Sequence, residues 1–220
     1  FSYLTLRQFG TGNDIRQVGE GRGGEGSATT SRAIQRGDYN MANIYVAGSD
    51  NGDTTTQLGN DNKATVRAVG DQNRVAQNQT GQRNLLNTDV EGVSNRSNTR
   101  QDGNDNKARH IARGNTNDAV ITQLGHLSTA HIGQEGIANT ATITQYSGQN
   151  VPAHQYSSLS SKILQTGTGN VGTVHQETGI VPETYNRAGI TQNGTNNTSS
   201  IDQRGHGFTT ETFQNGASNT

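Results

Sequence analysis

The chain of 220 residues contains no cysteine, no tryptophan and only two prolines. Without cysteine it has no disulfide framework, no thiolate nucleophile and no thiolate-bound metal. With so little proline, nothing blocks β-pairing. It is also poor in hydrophobic residues, at 27%, where ordinary globular chains carry roughly 45%. Aromatics are 5%, so a large apolar core cannot form. It lacks the run of about 18 apolar residues that a membrane-spanning helix requires. Charge is scarce and balanced: 16% of residues are charged and the formal net charge is −1. That balance argues against a general nucleic-acid binder and against a charge-rich disordered tail. The sequence opens at Phe1 with no basic stretch followed by an apolar one, so a signal peptide is expected to be absent or already removed.

Gly (29), Asn (25) and Gln (19) fill the gap, and they are not scattered. Between Gln35 and Asn150 the sequence repeats with a period of eleven. Glycine falls at Gly37, Gly48, Gly59, Gly70, Gly81, Gly92, Gly103, Gly114, Gly125 and Gly136. Three residues after each stand Asn40, Asn51, Asn62, Asn73, Asn84, Asn95, Asn106, Asn117, Ser128 and Asn139, with Asn150 next in line. The slot two residues before the Gly position holds Gln35, Gln57, Gln79, Gln101, Gln123, Gln134 and Gln145, whereas Val46, Ala68, Val90 and Ala112 take the intervening slots. The full repeat is therefore double that period, made of two unlike halves with the consensus N-x-A-x-(I/V)-x-Q-x-G-x-x.

The pattern returns at Gln8, Gly10 and Asn13, and Gln17-Val18-Gly19 reads as the start of another half. It returns again at Gln165/Gly167/Asn170, Gln176, Gln192/Gly194/Asn197, Gln203/Gly205 and Gln214/Gly216/Asn219. Gln17 to Gln35 is a step of eighteen, seven too many, and Gln176 to Gln192 a step of sixteen, five too many. Gln145 to Gln165 is a step of twenty, which reads as two halves with two residues missing. These spacings predict one repeat domain over 1–220, with insertions near 19–34 and 177–189.

Within a half the alternation has period two: Asn117, Ala119, Ile121 and Gln123 share one face, which is strand periodicity. Seven residues from Asn to Gln make a strand of roughly 23 Å. The four residues between Gln and the next Asn form the turn, where the Gly supplies a backbone with positive φ. The expected fold is all-β: a β-solenoid of about ten strand–turn–strand–turn rungs, with two facing parallel sheets. Stacking pairs each backbone group with the rungs above and below. It also explains interior Gln and Asn, whose amides bond along the stack as ladders. Some inner slots carry Asp53, His110 or Thr99 instead of Ala or Ile. No capping segment is evident at either end, so end-to-end addition into a cross-β fibre is expected. The abrupt ends also suggest a window on a longer array.

These residues resemble the curlin repeat of bacterial curli subunits, S-x5-Q-x-G-x-G-N-x-A-x3-Q. The resemblance rests on Asn106-x-Ala108, Gln123-x-Gly125, Asn139-x-Ala141-x3-Gln145 and Gln165-Thr166-Gly167-Thr168-Gly169-Asn170-x5-Gln176. It implies a secreted functional amyloid of the biofilm matrix that serves cell adhesion. It further implies a nucleator subunit, an outer-membrane secretion pore and anti-aggregation chaperones as partners, and self-association head to tail.

Other motifs carry less. Gly19-Glu20-Gly21-Arg22-Gly23-Gly24 matches G-x-G-x-x-G but lacks the helix a dinucleotide loop needs. Arg36-Gly37-Asp38 spells an adhesion tripeptide, although Gly37 is simply the repeat's glycine. The six histidines, His110, His126, His131, His154, His175 and His206, form no ligand set. No catalytic constellation, cofactor or metal site is expected. Lys63, Arg67, Arg74, Arg96, Arg100, Lys107 and Arg109 point outward and read first as solvated faces, with anionic polymers as the sharper possibility. The alternative to a fibre is a soluble β-solenoid binding module. A calcium β-roll would want Asp ladders, an ice-binding face ranks of Thr, and an adhesin or lyase domain caps.

Overall fold

Period-two sequence halves become 18 strands in a computed structural model, which describes residues 2–21, 28–147, 158–178 and 185–220. Odd-numbered strands in chain order form one nine-stranded sheet and even-numbered strands the other. Every pairing is parallel and joins a strand to the next but one in sequence. An odd strand and the even strand after it make one rung. Along Lys63–Asp71 burial alternates residue by residue, because successive side chains point to opposite faces of a pleated strand.

There are nine rungs among the described residues, one fewer than the length of the repeat predicts. The register shows why. Gln8 pairs with Gln35 rather than with a residue one regular repeat away, so the first insertion is five residues long. Gly19, not Gln17, stands in the glutamine slot, opposite Val46, and Gln17 lies opposite Ile44. The predicted start of a half at Gln17 and its surplus of seven are both corrected by that offset of two. Gln134 pairs with Gln165 and Gln145 with Gln176, each nine positions beyond the regular repeat. The step of twenty is thus one half plus a nine-residue insertion, not two halves with a deletion. The third insertion is five residues, since Gln176 pairs with Gln203. The flanking strands end at Gly21 and Glu177 and resume at Thr29 and Tyr185. The inserted stretches at 22–27, 148–157 and 179–184 lie outside the described residues.

Strands in the regular block also run longer than the predicted seven residues. Gly52–Asn60 starts one residue after Asn51 and continues through Gly59 to the residue beyond it. Gly59 has φ of 110°, and the sharpest turn residue is Asp61, at φ 57°, immediately before Asn62. Among the described residues twelve non-glycine residues occupy left-handed positions of this kind, Thr116 and Leu127 among them. Each costs roughly 1–2 kcal/mol relative to a right-handed conformation. The fold tolerates the strain because the backbone bonds of each turn are made to the rungs on either side, such as Asp61 N to Asp38 O at 3.0 Å and Arg83 N to Asn60 O at 3.1 Å.

The glycine column is held by contact as well as by φ. At Gly81 (φ 111°) a Cβ would strike the carbonyl oxygen of Gly103 in the next rung. Gly81→Ala is therefore expected to cost at least about 3 kcal/mol, whereas Thr80→Ala next to it should stay within about 0.5 kcal/mol. Denaturant midpoints followed by β-sheet circular dichroism would show the difference, and equal midpoints would refute the packing argument.

Candidate functional site

The interior of the odd sheet is lined from end to end by one column of glutamines: Gln8, Gln35, Gln57, Gln79, Gln101, Gln123, Gln145, Gln176 and Gln203. Along it each Nε2 donates to Oε1 of the glutamine in the next rung, at 2.7–3.1 Å. The second N–H of the same amide crosses the core to a backbone carbonyl of the facing sheet. Gln57 reaches Met41 O at 3.0 Å, Gln79 reaches Lys63 O at 3.0 Å and Gln101 reaches Leu85 O at 3.1 Å. One side chain thus joins two rungs and two sheets. In the even sheet the column exists only over Gln134, Gln165, Gln192 and Gln214, linked at 3.1, 2.9 and 2.8 Å. Below Gln134 its slots hold Ala112, Val90, Ala68 and Val46.

Asparagines form a second pair of columns at the two edges. Asn51, Asn73, Asn95, Asn117, Asn139, Asn170, Asn197 and Asn219 form one column, and Asn13, Asn40, Asn62, Asn84 and Asn106 the other, which Ser128 continues. Along each, Oδ1 accepts the backbone N–H of the residue one rung on, as in Asn73 N to Asn51 Oδ1 at 2.8 Å. Nδ2 reaches forward to the glycine carbonyl of the next rung, as in Asn62 to Gly81 O at 2.9 Å and Asn84 to Gly103 O at 2.7 Å. Asn and Gly slots recur together because one supplies the donor for the other's carbonyl. Gly37, Gly48, Gly59, Gly70, Gly81, Gly92, Gly103, Gly114, Gly125 and Gly136 all have φ between 104° and 125°. Asn150 lies outside the described residues, and by register Leu159 stands in the slot that the repeat assigns to it. Asn186 joins the column without having been predicted there, although Asn186-x-Ala188-x-Ile190-x-Gln192 fits the consensus; its Nδ2 donates to Gly205 O at 2.8 Å.

Between the ladders the apolar core divides into two clusters, one around Ile44 and Val66 and one around Ile121, Ile132 and Ile143. Rungs three to five add a polar seam. Ser31 donates to Asp53 at 3.2 Å, Gln77 donates to Thr88 at 2.8 Å, and His110 Nδ1 meets Ser97 Oγ at 2.7 Å. Thr99 Oγ1 is buried with no partner, and the His110 ring lies against the Gln134 side chain, whose hydrogen bond favours the charged imidazole against burial. Burial pushes the Asp53 carboxyl up to about 7 and the His110 imidazole down to about 4. Both side chains are therefore neutral inside the fold at mildly acidic pH.

Other motifs dissolve into the repeat. Asp38 Oδ1 accepts the backbone N–H of Thr11 at 2.7 Å, so Arg36-Gly37-Asp38 ties two rungs. Gly19 and Gly21 belong to the strand Asp14–Gly21, and the rest of that glycine-rich motif is outside the described residues. Among the described residues no group of three or more His, Asp or Glu could hold a metal. Each rung repeats the pairing groups of the rung before it. Residues 114–146 match the family model of the curlin associated repeat. They span the one place where Ala, Ile and Gln recur in three successive halves, at Ala119/Ile121/Gln123, Ala130/Ile132/Gln134 and Ala141/Ile143/Gln145. No curated protein matches the chain.

Gln101→Leu would leave Gln79 without its acceptor and Gln123 without its donor. We expect a loss of about 2–4 kcal/mol in unfolding free energy, against less than about 0.5 kcal/mol for the outward Asn98→Ala. The seam gives a second test with opposite pH slopes. The folded pKa of Asp53 is raised, so the unfolded chain ionises first and stability falls by about 4 kcal/mol as pH rises from about 4 to 7. The folded pKa of His110 is lowered, so the unfolded chain takes up the proton first and stability falls by about 3 kcal/mol as pH drops from about 6.5 to 4. The two effects offset each other in the native sequence. Asp53→Asn should become more stable as pH rises through that window and His110→Leu less stable, measured by denaturant titration at each pH. Parallel slopes in the two variants would contradict the assignment.

Proposed function

We propose that this curlin-repeat chain is the structural subunit of an extracellular curli-type amyloid fibre, working in biofilm cohesion and cell adhesion rather than in catalysis. The observation that carries this reading is the unbroken glutamine column of the odd sheet. Each rung presents to the next the same amide, the same asparagine and the same glycine that it meets below. In the described chain the first and last strands of each sheet are hydrogen-bonded on one side only. At the first rung Leu4 and Leu6 occupy inward slots yet are 46% and 50% exposed. A further rung stacked there, whether of this chain or of another copy, would cover them and continue both sheets. The curlin match at residues 114–146 supports self-assembly of this kind. A nucleator, a secretion pore and anti-aggregation chaperones complete the proposed system, because an aggregation-competent solenoid has to be kept unassembled until it is outside the cell.

Purified chain should form unbranched fibres visible by electron microscopy. Aligned fibres should give a meridional reflection near about 4.7–4.8 Å, with strands perpendicular to the fibre axis. Preformed fibres should shorten the lag of fresh chain. A monodisperse monomer that persists at micromolar concentration would overturn the reading in favour of a soluble binding module.

A further inference from the structure

The outer face of the even sheet carries a run of cations that stacking does not use. Arg109, His131 and Lys162 lie in register in three successive rungs. Lys107 and Arg187 stand in the neighbouring outward column, one at each end of the run. All but His131 are exposed. Among the described residues no ion pair reaches Lys107, Arg109 or Lys162, and Arg187 alone meets a carboxylate, Glu211 at 3.3 Å. The other acids beside the run are Asp89 and Glu91, held by Arg67 at 2.9 and 3.3 Å, and Glu135, which lies opposite Arg113 in register. Some cations pair with acids across rungs, as in Arg83–Asp105 at 2.7 Å, while Arg74 and Arg96 stack in register on the opposite sheet as a shorter run of two.

This segregation has a cost. Rungs about 4.8 Å apart place like charges side by side. Burial, followed by the charges of Arg109 and Lys162, lowers the pKa of His131, and its Nε2 is buried without a partner. Shallow hollows open on the face beside His131 and over Gly189, where no side chain fills the space between Lys162 and Glu211. The exposed rings of Tyr185 and Phe213 stand at the upper end of the run, each 71% exposed.

We propose that this column is a binding track for an acidic polysaccharide, with the polymer lying along the solenoid axis and its carboxylates seated on Arg109 and Lys162. Charge complementarity selects a polyanion. The direction follows from the register, because the cations recur along the axis and not along a strand. A pyranose residue advances a polymer by about one rung height, so acidic sugars can meet cations in successive or alternate rungs. The arginine fork suits a carboxylate. Single-stranded nucleic acid would need aromatic platforms interleaved with the cations. Here Tyr185 and Phe213 lie beyond Arg109, His131 and Lys162 and are placed to cover the apolar face of a sugar instead.

The test is binding of labelled polygalacturonate to the full chain, by co-sedimentation with fibres and by gel mobility shift with freshly prepared soluble chain. Because both forms are scored, failure to bind is separable from failure to assemble. The native chain should retain the polymer, lose it progressively with added salt and ignore neutral dextran. Arg109→Gln/Lys162→Gln should weaken binding by about ten-fold or more, and the single change Arg187→Gln should weaken it by less. Arg74→Gln/Arg96→Gln removes the same charge from the opposite sheet and should change affinity by less than about two-fold. The proposal fails if the track variant binds like the native chain, if the opposite-face variant loses as much, or if single-stranded oligothymidylate of equal charge displaces polygalacturonate.

Discussion

The structure depends on one interaction, the hydrogen bond between two primary amides stacked one rung apart. A buried glutamine brings two donors and an acceptor that all need partners. In the odd sheet the rung above supplies the acceptor, the facing sheet takes the second donor and the rung below supplies the donor. The solution works only if the neighbour carries a glutamine at the same depth. This is why sequence identity recurs along the stack when little else is kept. Apolar packing contributes a thinner layer of Ala, Val and Ile between the two ladders, in keeping with a chain that has few such residues.

The same logic explains which parts of the fold are legible in the sequence. The glutamine, asparagine and glycine columns can be read because each residue type has one solution at its slot. Strand alternation follows from the same slots. What misleads is the use of glutamine as the only ruler. Gln17 lies in an isoleucine slot while Gly19 takes the glutamine slot, so counting from Gln17 makes the first insertion too long. A nine-residue insertion after Tyr146 imitates a lost pair of residues because its length is close to one half-repeat. Asn186 is readable from its own neighbours, which keep the spacing of the consensus. The left-handed residues before each asparagine carry no signal, since Tyr39, Gln72, Thr116 and Leu127 share neither size nor polarity. Only the pairing of adjacent turns imposes that backbone conformation.

The two sheets are not equivalent, and the difference coincides with the polar seam. Rungs two to five pair a glutamine column on one side with Val46, Ala68, Val90 and Ala112 on the other. Three of these rungs carry Asp53, Gln77, Thr99 and His110 in inward slots. Rungs six to nine have glutamines on both sides and, from rung six to rung eight, aliphatic centres in both sheets. The first arrangement leaves the buried Thr99 hydroxyl unmatched. The second links its amides along both columns and packs Ile against Ile. The curlin match begins where the first arrangement gives way to the second.

Every bond between glutamines in the two columns donates in the same sense, from the earlier rung to the later one. Among the described residues no bond in either ladder runs the other way. The amide dipoles therefore add along the axis as peptide dipoles add along a helix. A filament made of such units has a direction. A ladder continued in register keeps this sense, and a rung stacked upside down would set donor against donor or acceptor against acceptor. A filament of such units, if assembled as proposed, would have two unlike tips that recruit subunits at different rates.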